Sequence, residues 1–114
     1  MRQLPPLILA ILLLSACQAE RTEEHPGFIG NWSGRVDNCS YRIEVEDDNS
    51  AIYRSQCTSS LERKGGFKVV AEGTQVRIGG KRLEIVEYPY ETIVTDTGSF
   101  WEMNLENVPY STFK

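Results

Sequence analysis

The stretch Cys39–Cys57, CSYRIEVEDDNSAIYRSQC, decides the fold. Apolar and polar residues alternate on both sides of Asp47-Asp48-Asn49, the pattern of two short strands joined by a tight polar turn. If the turn centres on Asp48, Val45 opposes Ala51, Ile43 opposes Tyr53, Tyr41 opposes Ser55 and Cys39 opposes Cys57. Opposed residues of an antiparallel pair have Cα atoms about 4.5–5.5 Å apart, a separation that a disulfide accepts. The same parity puts Tyr41, Ile43, Val45, Ala51 and Tyr53 on the cysteine face, and Arg42, Glu44, Glu46 and Arg54 on the other. One face is core and the other is wet.

The rhythm continues in both directions. From Phe28 onward, short runs rich in Val, Ile, Tyr and Phe alternate with Asp, Asn and Gly clusters about every ten residues. The pattern predicts strands near Gly30–Val36, Cys39–Glu46, Ala51–Cys57, Phe67–Ala71, Gln75–Ile78, Lys81–Glu87, Glu91–Thr95 and Ser99–Leu105. Turns are expected at Asp37-Asn38, Gly65-Gly66, Gly73, Gly79-Gly80, Tyr88-Pro89 and Asp96-Thr97-Gly98. The two-residue Gly79-Gly80 turn sets Ile78 opposite Lys81, Arg77 opposite Arg82 and Val76 opposite Leu83. No window has helical periodicity. The expected fold is all-β, a small antiparallel meander of about seven or eight strands closing into a barrel or a sandwich. Tyr41, Tyr53, Phe67, Trp101 and Met103 are expected to point inward and to fill a barrel this small.

The first 27 residues have a different composition. Arg2 precedes an unbroken apolar run from Leu7 to Leu14, long enough for the h-region of an export signal and too short to span a bilayer. The residues that follow, Leu14-Ser15-Ala16-Cys17, resemble the lipobox of bacterial lipoproteins. That resemblance implies a signal peptide over residues 1–16, cleavage before Cys17, and acylation of Cys17, including palmitate, as the membrane anchor. Gln18 in the next position implies sorting to the outer membrane. Residues 17–27 are polar, lack periodicity and end in Pro-Gly, so they are expected to form a lipidated flexible tether to a domain spanning residues 28–114. His25 falls in this tether and is expected to be solvated.

With Cys17 assigned to lipid, Cys39 and Cys57 remain as an even pair for one disulfide in an oxidising compartment. A core of this size is marginal, and a covalent staple is useful to it. Two thiols and one histidine are too few ligands for zinc, so no metal or cofactor is expected. Removing residues 1–16 takes one arginine away and leaves eleven basic against sixteen acidic side chains. A negative domain with no basic run argues against a nucleic-acid partner.

Gly30-Asn31-Trp32 at the head of the first strand resembles the G-x-W signature of lipocalins and other calycins, and Thr95-Asp96 matches part of a second lipocalin signature. The resemblance implies an up-and-down barrel whose floor Trp32 closes, with Gly30 permitting close backbone approach. Lipocalins also carry a late arginine that packs over that tryptophan. Here the tail offers Lys114. The tripeptides Asn31-Trp32-Ser33 and Asn38-Cys39-Ser40 match glycosylation sequons, but the lipobox points to a bacterium.

Catalysis has little to work with. A nucleophilic triad needs a base, and residues 28–114 contain no histidine. Glu44 and Glu46 share a strand face but alternate with apolar residues, as on a solvated outer surface. The chain is therefore expected to be no enzyme. Three readings follow: a lipid-anchored module that binds an envelope or host protein or supports the envelope, a lipocalin-like carrier of a small ligand, or an inhibitor of a host hydrolase such as lysozyme. The last would act through a loop such as Ser59-Ser60 or Lys64-Gly65-Gly66. Bulky inward residues favour the first, with Arg42, Arg54, Arg77 and Arg82 as contact residues for a carboxylate-rich partner.

Overall fold

The computed structural model describes residues 25–114; the expected signal, Cys17, Gln18 and most of the tether lie outside the described residues. A single 3-10 turn, Pro26–Phe28, leads into eight antiparallel strands: β1 (Gly30–Val36), β2 (Cys39–Val45), β3 (Ser50–Gln56), β4 (Ser60–Val70), β5 (Gln75–Ile78), β6 (Lys81–Val94), β7 (Ser99–Leu105) and β8 (Val108–Phe113). Each strand pairs with the next, and β8 pairs with β1, so the sheet closes into an up-and-down barrel. Closure settles the choice between barrel and sandwich.

The β2–β3 hairpin has the predicted register: Val45 with Ala51, Ile43 with Tyr53, Tyr41 with Ser55. Cys39 and Cys57 form a disulfide with Cα atoms 4.3 Å apart. The Gly79-Gly80 hairpin also pairs as expected, Arg77 with Arg82 included. Inward positions build one apolar cluster containing Trp32, Ile43, Tyr53, Phe67, Met103 and Tyr110, with Tyr41 and Trp101 half-buried against it. Phe28, on the 3-10 turn, is buried in the same cluster and packs 5.2 Å from the Phe67 ring.

Three elements differ from expectation. Tyr88-Pro89 does not turn the chain; Lys81–Val94 is one long strand with register irregularities between Ile85 and Glu87, Glu87 and Tyr90, and Glu91 and Ile93. A proline is tolerated there because β5 pairs with β6 only as far as Glu84, so the edge beyond needs no ladder donor on that side. Likewise Gly65-Gly66 is no turn. Strand β4 begins at Ser60, pairs with β3 through Gly66, and then pairs with β5 from Phe67 to Val70. Glycine is required at this corner because a Cβ on Gly65 would lie 2.7 Å from the Gly79 backbone. Finally, Val108–Phe113 is a strand that the predicted set lacked, and it closes the barrel. Its Pro109 lies just past the end of the two-pair β1–β8 ladder.

Candidate functional site

Strand parity places a continuous row of outward side chains across five neighbouring strands. Ser111 opposes Ser33, Ser33 opposes Arg42, Arg42 opposes Arg54, and Arg54 opposes Glu62. A groove of about 890 Å³ runs along this row, and its lining also includes Arg35, Ser40 and Gln56. The serines are small and leave the floor low, while the arginines are long enough to wall it. At the β1–β8 seam a Cβ on Gly34 would stand 2.6 Å from the Pro109 carbonyl, so only glycine lets the two strands approach this closely beneath the groove.

The arginines of the row differ in what they already hold. Arg54 donates from Nε to Glu62 at 2.6 Å and from Nη1 to Glu44 at 2.9 Å. The bond to Glu62, then the added pull of Glu44, raises its already high pKa, and the same bond lowers that of Glu62. Arg42 and Arg35 are exposed and have no ion-pair partner among the described residues. Their guanidinium groups are the cationic donors left over in the groove. The predicted contact arginines thus fall into two groups: Arg42 and Arg54 together here, and Arg77 with Arg82 on the β5–β6 hairpin, outside the groove, where Arg82 reaches Gln75 at 3.4 Å. Ser111 escaped the sequence reading because it belongs to the unpredicted β8, whereas Arg35, Ser33 and Ser40 lie on predicted strands and could have been found by pairing β1 with β2 across Asp37-Asn38.

The candidate loops and carboxylates are placed less suggestively. Ser59 and Ser60 lie at the β3–β4 turn beside the disulfide, whereas Lys64-Gly65-Gly66 is strand and packs on Gly79. Glu44 is engaged by Arg54, and Glu46 lies at the start of the next turn. His25 is not simply solvated: its ring stands 5.8 Å from that of Tyr88.

At the opposite end from the disulfide, Trp32 is fully buried and its indole nitrogen donates to the Phe28 carbonyl at 2.9 Å. Gly30 begins β1 with φ of 149°, a backbone region closed to other residues. Above the indole lies Lys114, with Nζ 5.3 Å from the Trp32 ring centre and 4.5 Å from that of Trp101. The same amine donates to the carbonyls of Gly27 and Ile29 at 2.7 and 2.6 Å. Desolvation of this amine lowers its pKa. Thr95 and Asp96 are in the β6–β7 turn, where Thr95 Oγ1 donates to the Gly98 carbonyl at 2.9 Å.

No protein-family model, curated protein or solved structure matches this chain.

Proposed function

We propose that the chain is a lipid-anchored bacterial envelope protein whose small barrel binds a carboxylate-rich protein through the outer groove walled by Arg35, Arg42 and Arg54. The observation that carries this reading is the contrast between the two faces of the sheet. Inside, apolar side chains form one packed cluster. Outside, two arginines with no ion-pair partner among the described residues stand over a serine floor. Guanidinium groups meet carboxylates with two parallel hydrogen bonds, and serine hydroxyls both donate and accept, so such a groove suits an acidic polar surface. The lipobox-like LSAC at residues 14–17 supports the anchor and the outer-membrane address.

Trp32 under Lys114 supports the calycin resemblance, with lysine in the place of the late arginine. That likeness bears on the scaffold, whose inward side chains pack as one apolar cluster around Trp32, Phe67 and Tyr110. The test is charge reversal. The exported protein with Arg35→Glu and Arg42→Glu should lose capture of its partner from envelope extracts, and Arg77→Glu with Arg82→Glu should retain it. A lipid or other small ligand co-purifying stoichiometrically in native mass spectrometry would replace this reading with the carrier.

A further inference from the structure

A second surface lies toward the other end of the barrel from the groove's Ser40, Gln56 and Ser60, and meets the groove on β8, where Ser111 and Phe113 share one face. Cross-strand partners Ile93, Phe100 and Phe113 form an uncharged row on the outer face of β6, β7 and β8. All three are exposed: 59 % for Ile93, 44 % for Phe100 and 47 % for Phe113. The row is rigidly presented. The Phe100 and Phe113 rings pack edge to face with centroids 4.8 Å apart, and a Cβ on Gly98 would stand 2.9 Å from the Phe113 ring, so that ring rests directly on the turn backbone. Holding large apolar groups outward costs hydrophobic free energy, about 25 cal/mol for each Å² left in water. A contiguous group of this kind marks an interaction surface.

Its position in the fold says what covers it. Ser99 and Lys114 exchange backbone hydrogen bonds at 2.7 and 2.8 Å beside the row, and the Lys114 amine grips the Gly27 carbonyl, so the row lies at the end of the barrel where the chain enters. Seven residues lie between Cys17 and His25, so the eight steps from one to the other reach at most about 27 Å even when fully extended. An acyl anchor at Cys17 would therefore attach at this end of the barrel and keep the row within reach of the bilayer. Pairing with a second copy is disfavoured along the adjoining β6 edge, because Pro89 and three register irregularities spoil it as a template for another strand.

We propose that the Ile93–Phe100–Phe113 row rests in the interfacial region of the lipid bilayer as a second membrane contact, which orients the barrel with the disulfide end of its groove pointing away from the lipid. This rests on acylation of Cys17. An acyl anchor fixes distance but leaves the domain free to rotate; a rigid apolar row beside the tether removes that freedom. The row itself carries no charge, and its acidic neighbours, Asp96 in the β6–β7 turn and Glu102 two residues along β7 from Phe100, lie at its borders.

The test uses the full-length protein, exported and purified from membranes, then reconstituted in phosphatidylethanolamine–phosphatidylglycerol vesicles containing a brominated phosphatidylcholine. Intact mass first reports whether Cys17 is acylated. Phe100→Trp and, separately, Phe113→Trp then serve as depth reporters against Thr58→Trp beside the disulfide, with the unmodified protein giving the background from Trp32 and Trp101. We expect an acylated mass, and bromine quenching of the added tryptophan at least twofold stronger at positions 100 and 113 than at 58. Acylated protein with equal quenching at all three positions would overturn the membrane contact while leaving the anchor standing. An unacylated mass would overturn the anchor and this proposal with it. Acylated dimers in native mass spectrometry, with the Phe100→Trp reporter unquenched, would assign the row to a second copy instead.

Discussion

The amine of Lys114 stands 5.3 Å from the centre of the Trp32 ring while donating to the carbonyls of Gly27 and Ile29 on the chain's way into β1. One side chain thus ties the last described residue to the first turn and caps the buried indole between them. Trp32 itself holds the Phe28 carbonyl, so the carbonyls of Gly27, Phe28 and Ile29 are all occupied by two side chains. The end of the barrel is closed by hydrogen bonds as much as by apolar area.

Lys114→Met should keep the stem and lose both bonds and the cation–π contact, destabilising the domain by about 1–3 kcal/mol. The urea midpoint should fall with its slope unchanged. Burial holds the Lys114 pKa below that of a free lysine, so above the folded-state value the unfolded chain binds more protons than the folded one. The stability of wild type relative to Lys114→Met should therefore rise with pH from the folded-state pKa up to about 10.4, the unfolded value.

Replacing Cys39 and Cys57 together by alanine should lower stability by about 3 kcal/mol, the chain-entropy value for a loop of this length. The measurement is thermal unfolding of the exported protein. Equal midpoints with and without the cysteines would contradict it.

Gly34→Ala should destabilise by about 1–3 kcal/mol, because its Cβ would meet the Pro109 carbonyl at a point where β1 and β8 share only two residue pairs and neither backbone has room to move. Gly80→Ala, where a Cβ meets nothing within 4 Å, should cost only the strain of φ at 87°. Unfolding midpoints compare the two.

Asp48 accepts hydrogen bonds from the Ser50 hydroxyl and backbone nitrogen, which lower its pKa, the hydroxyl bond first. Glu62 is lowered chiefly by its bond from Arg54. Both folded-state values lie below the unfolded ones, so their stabilisation is present above about pH 4 and is lost as pH falls through the folded values. Carboxyl-carbon NMR titration should show Asp48 moving back up in Ser50→Ala and Glu62 moving back up in Arg54→Gln.

Much of the candidate groove was legible in the sequence. The Arg42–Arg54 pair follows from centring the Asp47-Asp48-Asn49 turn on Asp48, and the Arg77–Arg82 pair from a two-residue Gly-Gly turn; both registers agree with the structure. What the hairpins left open is which arginines share a site. That depends on closure through β8, which brings Ser111 beside Ser33 and turns an outer sheet face into a groove. Nor does composition reveal that Arg54 is already held by Glu44 and Glu62 while Arg42 is not, since Glu62 lies on the half of β4 that was not predicted.

The sequence by itself determined the all-β class, the β2–β3 and β5–β6 hairpins, the disulfide and the division of their strands into a core face and a wet face, because alternation and tight turns act between neighbours in the chain. The tertiary structure alone decided whether Tyr88-Pro89 and Gly65-Gly66 turn the chain or continue a strand. Both segments carry strong local turn signals, yet a proline costs nothing along an edge that β5 has left unpaired, and Gly65 is needed where Gly79 crosses it. Whether an edge is free and whether two backbones cross are facts about residues distant in sequence, so only the closed barrel could decide them.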